Sequence, residues 1–146
     1  MVGEYGSGMT PELPLTGGCG CGAVRYEISA PLGRARYCHC TRCQRRTGSA
    51  AAASAPVQPG TLTITAGAEH IKGWAPGGGF AKEFCGECGS ALFARPGPDA
   101  AMVRLGTIDG DPGVRPEFRQ FVAYAAPWEP IPDDGLPRHP ESRHER

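Results

Sequence analysis

The sequence predicts a mainly β fold, on three observations. Its 22 glycines and 15 prolines leave little room for a long uninterrupted helix. Short segments alternate apolar and polar residues with the two-residue period of a half-buried strand. The seven cysteines fall into tight clusters with metal-ligand spacing, so metal can help organise a chain of modest core size.

The elements follow in chain order. Residues 23–28 place Val24, Tyr26 and Ile28 on one face and Arg25 and Glu27 on the other, a strand pattern. Residues 41–48 are the one stretch suited to a helical turn, ended by Gly48. Thr61-Leu62-Thr63-Ile64-Thr65 is β-branched and alternating. Pro76-Gly77-Gly78-Gly79 reads as a mobile turn; with no strand and helix around it, it is no phosphate loop. Residues 80–84 and 90–94 flank a cysteine pair and predict a hairpin, and 101–105 and 118–124 are further strand candidates. Trp128, in Ala126-Pro127-Trp128-Glu129-Pro130, is expected to be a buried anchor for the C-terminal segment. The organisation expected is a flexible arm over 1–14, one domain over 15–137 and a charged tail over 138–146.

Composition narrows the partners. Lys plus Arg and Asp plus Glu balance at 15 each, which gives no general attraction to nucleic acid or to an anionic membrane. No apolar stretch approaches the ~18 residues of a membrane span. The N-terminal residues lack a basic region followed by an apolar run, so the expected compartment is the reducing cytosol. Short edge strands permit dimers without requiring them. An odd number of cysteines with a Cys-x-Cys pair argues for metal rather than disulfides.

Cys85-Gly86-Glu87-Cys88-Gly89 is a metal-binding turn, with Phe84 and Phe93 placed to pack beneath it. Cys19-Gly20-Cys21, between Gly18 and Gly22, supplies two more ligands from a sharp bend. Joining the pairs closes a loop of more than sixty residues. That cost grows slowly with length, and structural zinc offsets it with roughly 10–16 kcal/mol of binding free energy. Cys38-His39-Cys40-Thr41-Arg42-Cys43 converges three thiols on a second ion. His39 is expected to point away from it, and, like Glu87, is read as a surface residue, while His70 is remote in sequence. Seven cysteines thus divide into a closed set of four and an open set of three, with a closed site completed by a histidine or a second subunit as the alternative.

Chemistry follows from the open set. Three thiolates on a divalent zinc suit a soft fourth ligand, and an incoming thiol is the natural one. Coordination deprotonates that thiol and leaves a nucleophile for a small electrophile. Arg42, Arg45 and Arg46 stand beside the cluster in sequence and are candidate clamps for substrate carboxylates.

The order and spacing of these segments resemble the glutathione-dependent formaldehyde-activating enzyme family, also called the centromere-protein-V/Gfa family. The resemblance rests on residues 17–22, 38–50 and 84–90, with Arg115-Pro116, Ala126-Pro127-Trp128 and residues 133–137 matching its C-terminal portion. It implies an Mss4-like fold of several small curled antiparallel sheets with two zinc ions. It also implies a structural zinc on Cys19, Cys21, Cys85 and Cys88 and a catalytic zinc on Cys38, Cys40 and Cys43. The implied activity is that of a carbon–sulfur lyase joining glutathione and formaldehyde into S-hydroxymethylglutathione. Against this stands a second reading from the residues themselves: a non-catalytic zinc-stabilised module that binds thiols or other proteins, since no acid–base pair is evident beside the clusters.

Overall fold

A computed structural model describes residues 11–77 and 79–142. Most of the expected N-terminal arm (1–10) and the end of the expected tail (143–146) lie outside the described residues, as does Gly78 in the glycine-rich turn. Eleven strands, one α-helix and three short 3-10 turns are found among the described residues, the mainly β content expected. The strand expected over 118–124 ends at Gln120 and gives way to a 3-10 turn over Val122–Tyr124.

Strands β1 (Leu15–Gly18), β2 (Arg25–Ile28) and β5 (Leu62–Ala66) form a three-stranded antiparallel sheet in the order β1-β2-β5. A second sheet has eight strands. It takes in β3 (Ala35–Cys38), β4 (Ala52–Val57), β6 (Ile71–Trp74), β7 (Ala81–Cys85), β8 (Ala91–Gly97), β9 (Ala100–Arg104), β10 (Pro116–Gln120) and β11 (Arg138–His139). Their order is β11-β10-β3-β4-β9-β8-β7-β6, antiparallel except where β10 runs parallel to β3 and β11. The chain after Pro137, read as a tail, therefore contributes a short strand to the sheet edge.

The core lies between the two sheets. Val24, Tyr26 and Ile28 are buried as their alternation predicts, and Phe93, Val103, Ala55 and Val57 face them from the larger sheet. The Tyr26 and Phe93 rings meet edge-on with centroids 5.2 Å apart, a favoured aromatic geometry. Tyr26 keeps its hydroxyl satisfied by a 2.7 Å hydrogen bond with Thr107 Oγ1, and burial pushes its pKa up to about 12. That hydroxyl sits where a Cβ at position 17 would be, so Gly17 is required by close approach rather than by its own dihedrals.

The other face of the larger sheet follows from its register. Arg36 pairs with Ser54 and Ser54 with Arg104 across β3, β4 and β9. Lys82 pairs with Ala94 and Ala94 with Met102 across β7, β8 and β9. Directly paired residues share a face, and successive residues alternate faces. Hence Arg36, Ser54, Arg104, Lys82, Ala94 and Met102 all point away from the core. Sequence alternation missed β3 and β4 because their buried positions are largely alanine and serine, which carry little hydropathy signal.

Trp128 corrects an expectation. It is 65% exposed, and the small Ala126 is the buried member of its segment. The C-terminal segment is held by polar contacts instead: Arg119 N–H donates to Pro137 O at 2.8 Å, and the Arg138 guanidinium donates to Pro132 O at 2.9 Å.

Phe93→Ala should therefore cost about 3–5 kcal/mol, whereas Trp128→Ala should stay within about 0.5 kcal/mol of the parent. Urea denaturation of both variants measures this, and comparable losses would contradict the packing described.

Candidate metal centres and the cavity beside them

The first cluster joins the β1–β2 turn to the β7–β8 turn. Cys19, Cys21, Cys85 and Cys88 place their sulfurs within 4.8 Å of one another. Cys19 and Cys85 are buried, and Cys21 and Cys88 are exposed. Local backbone builds both halves. Gly22 N–H donates to Cys19 O at 3.2 Å, and Gly89 N–H donates to Cys85 O at 2.7 Å with Gly89 in the left-handed region at φ 83. Backbone N–H groups point at the sulfurs, from Val24 to Cys19 Sγ at 3.2 Å and from Glu87 to Cys85 Sγ at 3.4 Å. Gly20 N–H donates to Ser90 Oγ at 2.9 Å and links the two turns.

The second cluster stands where β3 runs into helix α1 (Thr41–Thr47), and the sulfurs of Cys38, Cys40 and Cys43 also lie within 4.8 Å of one another. Cys40 is the helix N-cap, its Sγ accepting from Cys43 N–H at 3.3 Å. Gly48 ends the helix in the left-handed conformation, as the sequence predicts, with its N–H on Gln44 O. The sulfurs share charge unequally. Hydrogen bonds from Cys38 and Cys43 hold the Cys40 thiol well below its ordinary value, while Cys38, next to that charge, is pushed far up. Three thiolates this close repel, so a cation is needed for all to ionise together.

Donor set, spacing and N–H···S contacts all fit a soft divalent ion, so each cluster can hold a metal. Among the described residues neither set includes a histidine. His70 lies beside the carboxylates of Glu69 and Glu87, each at 3.5 Å, and Glu87 is exposed as expected.

His39 departs from the surface role expected of it, being only 4% exposed. Its Nε2 lies 3.1 Å from Arg119 NH1, and Arg119 in turn donates to Asp134 Oδ2 at 2.7 Å and stacks over the Tyr37 ring at 4.3 Å. Burial, and then the Arg119 charge, hold the imidazole pKa below its usual value. His39 N–H donates to Gln120 O at 3.0 Å, and Gln44 Nε2 bridges His39 O and Tyr124 O. These contacts tie the ligand turn to β10 and to the segment after it.

Cys38, Cys40 and Cys43 open onto a cavity of about 240 Å³ on the outer face of the larger sheet. Among the described residues four cationic ones line it, namely Arg36, Arg42, Lys82 and Arg104, and no aspartate or glutamate does. Lys82 and Arg104 are 7% and 8% exposed. Arg104 donates to Ser54 Oγ at 2.7 Å, and its Nε has no partner among the described residues. Burial lowers the Lys82 pKa, and its ammonium lies 5.3 Å from the Phe80 ring centroid. Phe80 and Phe121 supply aromatic wall. Phe121 sits in the left-handed region at φ 59, rare for a bulky residue, and is held there by hydrogen bonds to Glu141 O and from Tyr124 N–H.

The three sequence-adjacent arginines part company. Arg42 lines the cavity and lies against Gly79, where a Cβ would overlap its guanidinium. Arg46 lies over the Phe84 ring at 5.2 Å and lines a separate recess with Ser90 and Arg104, and Arg45 is exposed. Phe93 packs into the core rather than beside Phe84. Sequence reasoning missed Arg36, Lys82 and Arg104, which come from strands far apart in the chain. Their signal is visible only once the register is known.

Fold and sites together define a small mainly β protein with two cysteine clusters able to hold metal, one of them facing a cationic cavity. The chain belongs to the glutathione-dependent formaldehyde-activating enzyme family, whose model matches residues 14–124. A crystal structure of a Rhodobacter sphaeroides protein, a structural-genomics target, is similar at 25% identity with a TM-score of 0.57, covering 85% of this chain and 98% of that one. No curated protein matches significantly. Among the described residues no helix is long and apolar enough to cross a membrane.

Two outcomes are expected here. Cys85→Ser should release metal from the four-sulfur cluster and lower the melting temperature sharply, read by metal analysis and circular dichroism; an unchanged melting temperature would contradict a structural role. The hydrogen bond from Arg119 lowers the Asp134 pKa, so its stabilisation is present above about pH 4 and is lost as pH falls through the folded value. Asp134→Asn should therefore be less stable than the parent at pH 7, with the difference closing toward pH 2 in urea titrations.

Proposed function

We propose that the chain is a zinc-dependent carbon–sulfur lyase that joins or cleaves a low-molecular-weight thiol, glutathione or an equivalent, and a small aldehyde such as formaldehyde. The observation that carries this reading is the set Cys38, Cys40 and Cys43, facing a cavity with no fourth protein ligand among the described residues. Family membership supports the same reaction class.

Cys38, Cys40 and Cys43 would hold one zinc, and Cys19, Cys21, Cys85 and Cys88 a second, structural one. Bound zinc supplies a place where an incoming thiol ionises at neutral pH. The protein's own residues orient and confine the reactants. Helix α1 fixes Cys40 and Cys43, and the His39–Arg119–Asp134 chain fixes the turn carrying Cys38. Arg42 meets the thiol-bearing molecule at the rim. In the joining direction a sulfur–carbon bond forms, the carbonyl π pair moves onto oxygen, and that oxygen takes up the proton the thiol gave up. Cleavage is the reverse. Holding both reactants in one small cavity is itself a source of rate.

One observation favours a second reading, thiol binding without turnover. Among the described residues the cavity wall carries no carboxylate for general acid–base work. Saturable thiol binding with no effect on adduct formation would select it.

Cys40→Ser should lose the zinc of the three-cysteine cluster and all rate enhancement while staying folded, since the core and the four-sulfur cluster are separate from it. Metal analysis, circular dichroism and NMR exchange between thiol and hemithioacetal test this together. A fully active Cys40→Ser protein would remove the catalytic assignment.

A further inference from the structure

Lys82 poses a problem of charge. The residue is 7% exposed on β7, and among the described residues its ammonium meets the Phe80 ring and the charge of the three cysteines but makes no hydrogen bond or ion pair. A lysine so largely buried is costly unless an anion pairs with it directly. Two strands away stands Arg104, also buried, with Nε unpartnered. Ala94, the small residue paired between Lys82 and Met102, leaves the space between them open as the cavity floor. Both cations therefore line one half-open cavity beside the three cysteines.

The three-cysteine cluster does not balance them. Three thiolates around a divalent ion carry −1, against +4 from Arg36, Arg42, Lys82 and Arg104. Arg36 is partly engaged elsewhere, over the Phe118 ring and on Arg34 O. The surplus on Lys82 and Arg104 faces the cavity, and the ligand that completes the site must bring negative charge with it.

We propose that Lys82 and Arg104 form a buried carboxylate-binding subsite that selects an anionic thiol over a neutral or cationic one. The inference rests on the reading of the three-cysteine cluster as a thiol site, and it names Lys82 as the specificity-determining residue there. The electrostatic logic is directional. A −1 metal centre alone disfavours an anionic thiol, and a carboxylate does not make its neighbouring thiol more acidic. Preference for the anion must therefore come from the cations on the opposite wall. Arg104, braced by Ser54, supplies a planar donor face, and Lys82 supplies a point charge.

The test titrates the cobalt-loaded full-length protein with 3-mercaptopropionate, 2-mercaptoethanol and cysteamine, following the cobalt absorption bands. The expected order of affinity places 3-mercaptopropionate at least about tenfold above the other two, the scale of one charge-assisted hydrogen bond. Lys82→Met, which matches the aliphatic stem, should erase that advantage, lowering the affinity for 3-mercaptopropionate far more than that for 2-mercaptoethanol, and Lys82→Arg should restore most of it. Equal affinities in the parent protein would overturn the subsite while the thiol site itself stands. So would a preference that survives in Lys82→Met, or in Lys82→Gln should the methionine variant fail to fold. Cobalt bands that ignore all three thiols would overturn the thiol-site reading and this inference with it.

Discussion

Crowded sulfur is the constraint on which the rest of this structure depends. Seven thiols are gathered into two groups, each with its sulfurs within 4.8 Å, and like charges at that distance oppose simultaneous ionisation. A shared cation reverses the sign of the interaction. In the four-sulfur group it would also join turns that are 64 residues apart at Cys21 and Cys85. The residues following Cys21 run straight into Val24 and Tyr26, and Cys85 and Leu92 bracket the other turn, so the cluster caps the core it helps to close. Binding energy at the sulfurs and burial between the sheets are therefore one cooperative quantity rather than two.

The larger sheet carries two jobs on its two faces. One face holds Ala55, Val57, Phe93 and Val103 against the small sheet. The other holds Arg36, Ser54, Ala94, Met102, Arg104 and Lys82. A strand cannot change the occupants of one face without keeping its register on the other, because a one-residue slip exchanges them. Core packing thus fixes where the cavity cations stand. It also explains how an enclosed lysine and arginine persist: the hydrophobic face locks the register that holds them there.

What the sequence made legible divides along the same line. The cysteine spacing carried the two clusters, because ligand convergence is local to a turn and two turns suffice. Alternation carried β2 and β5, and the helix over 41–48 ended at Gly48 as read. Strands β3 and β4 escaped because alanines and a serine bury without a hydropathy signature. Trp128 misled because size was taken for burial, whereas the prolines on either side of it carry the segment over the surface. His39 looked like a spacer between ligands, but Arg119 and Asp134, contributed from 80 and more residues away, make it part of a buried chain. Arg45 is exposed and Arg46 turns over Phe84 into a separate recess, while two further cations of the cavity, Lys82 and Arg104, arrive through cross-strand pairing that no local pattern encodes.

The two clusters also differ in what surrounds their charge, and on the proposed function that difference would separate a structural centre from a reactive one. Four thiolates on a divalent ion leave −2, met here by backbone N–H groups of Val24 and Glu87. Four donor sulfurs already make the set a tetrahedral ion requires. Three thiolates leave −1, and the wall opposite them bears side-chain cations that outnumber it. Cations near sulfur favour the thiolate and hold a cluster together at lower pH, but they also leave an electrostatic surplus facing the cavity. A centre that is short of one ligand and surrounded by excess positive charge is completed by a molecule that brings both a soft donor atom and an anion. A thiol carrying a carboxylate is the simplest molecule with both, so on this reading the same arrangement that opens the metal site also defines the kind of ligand that closes it.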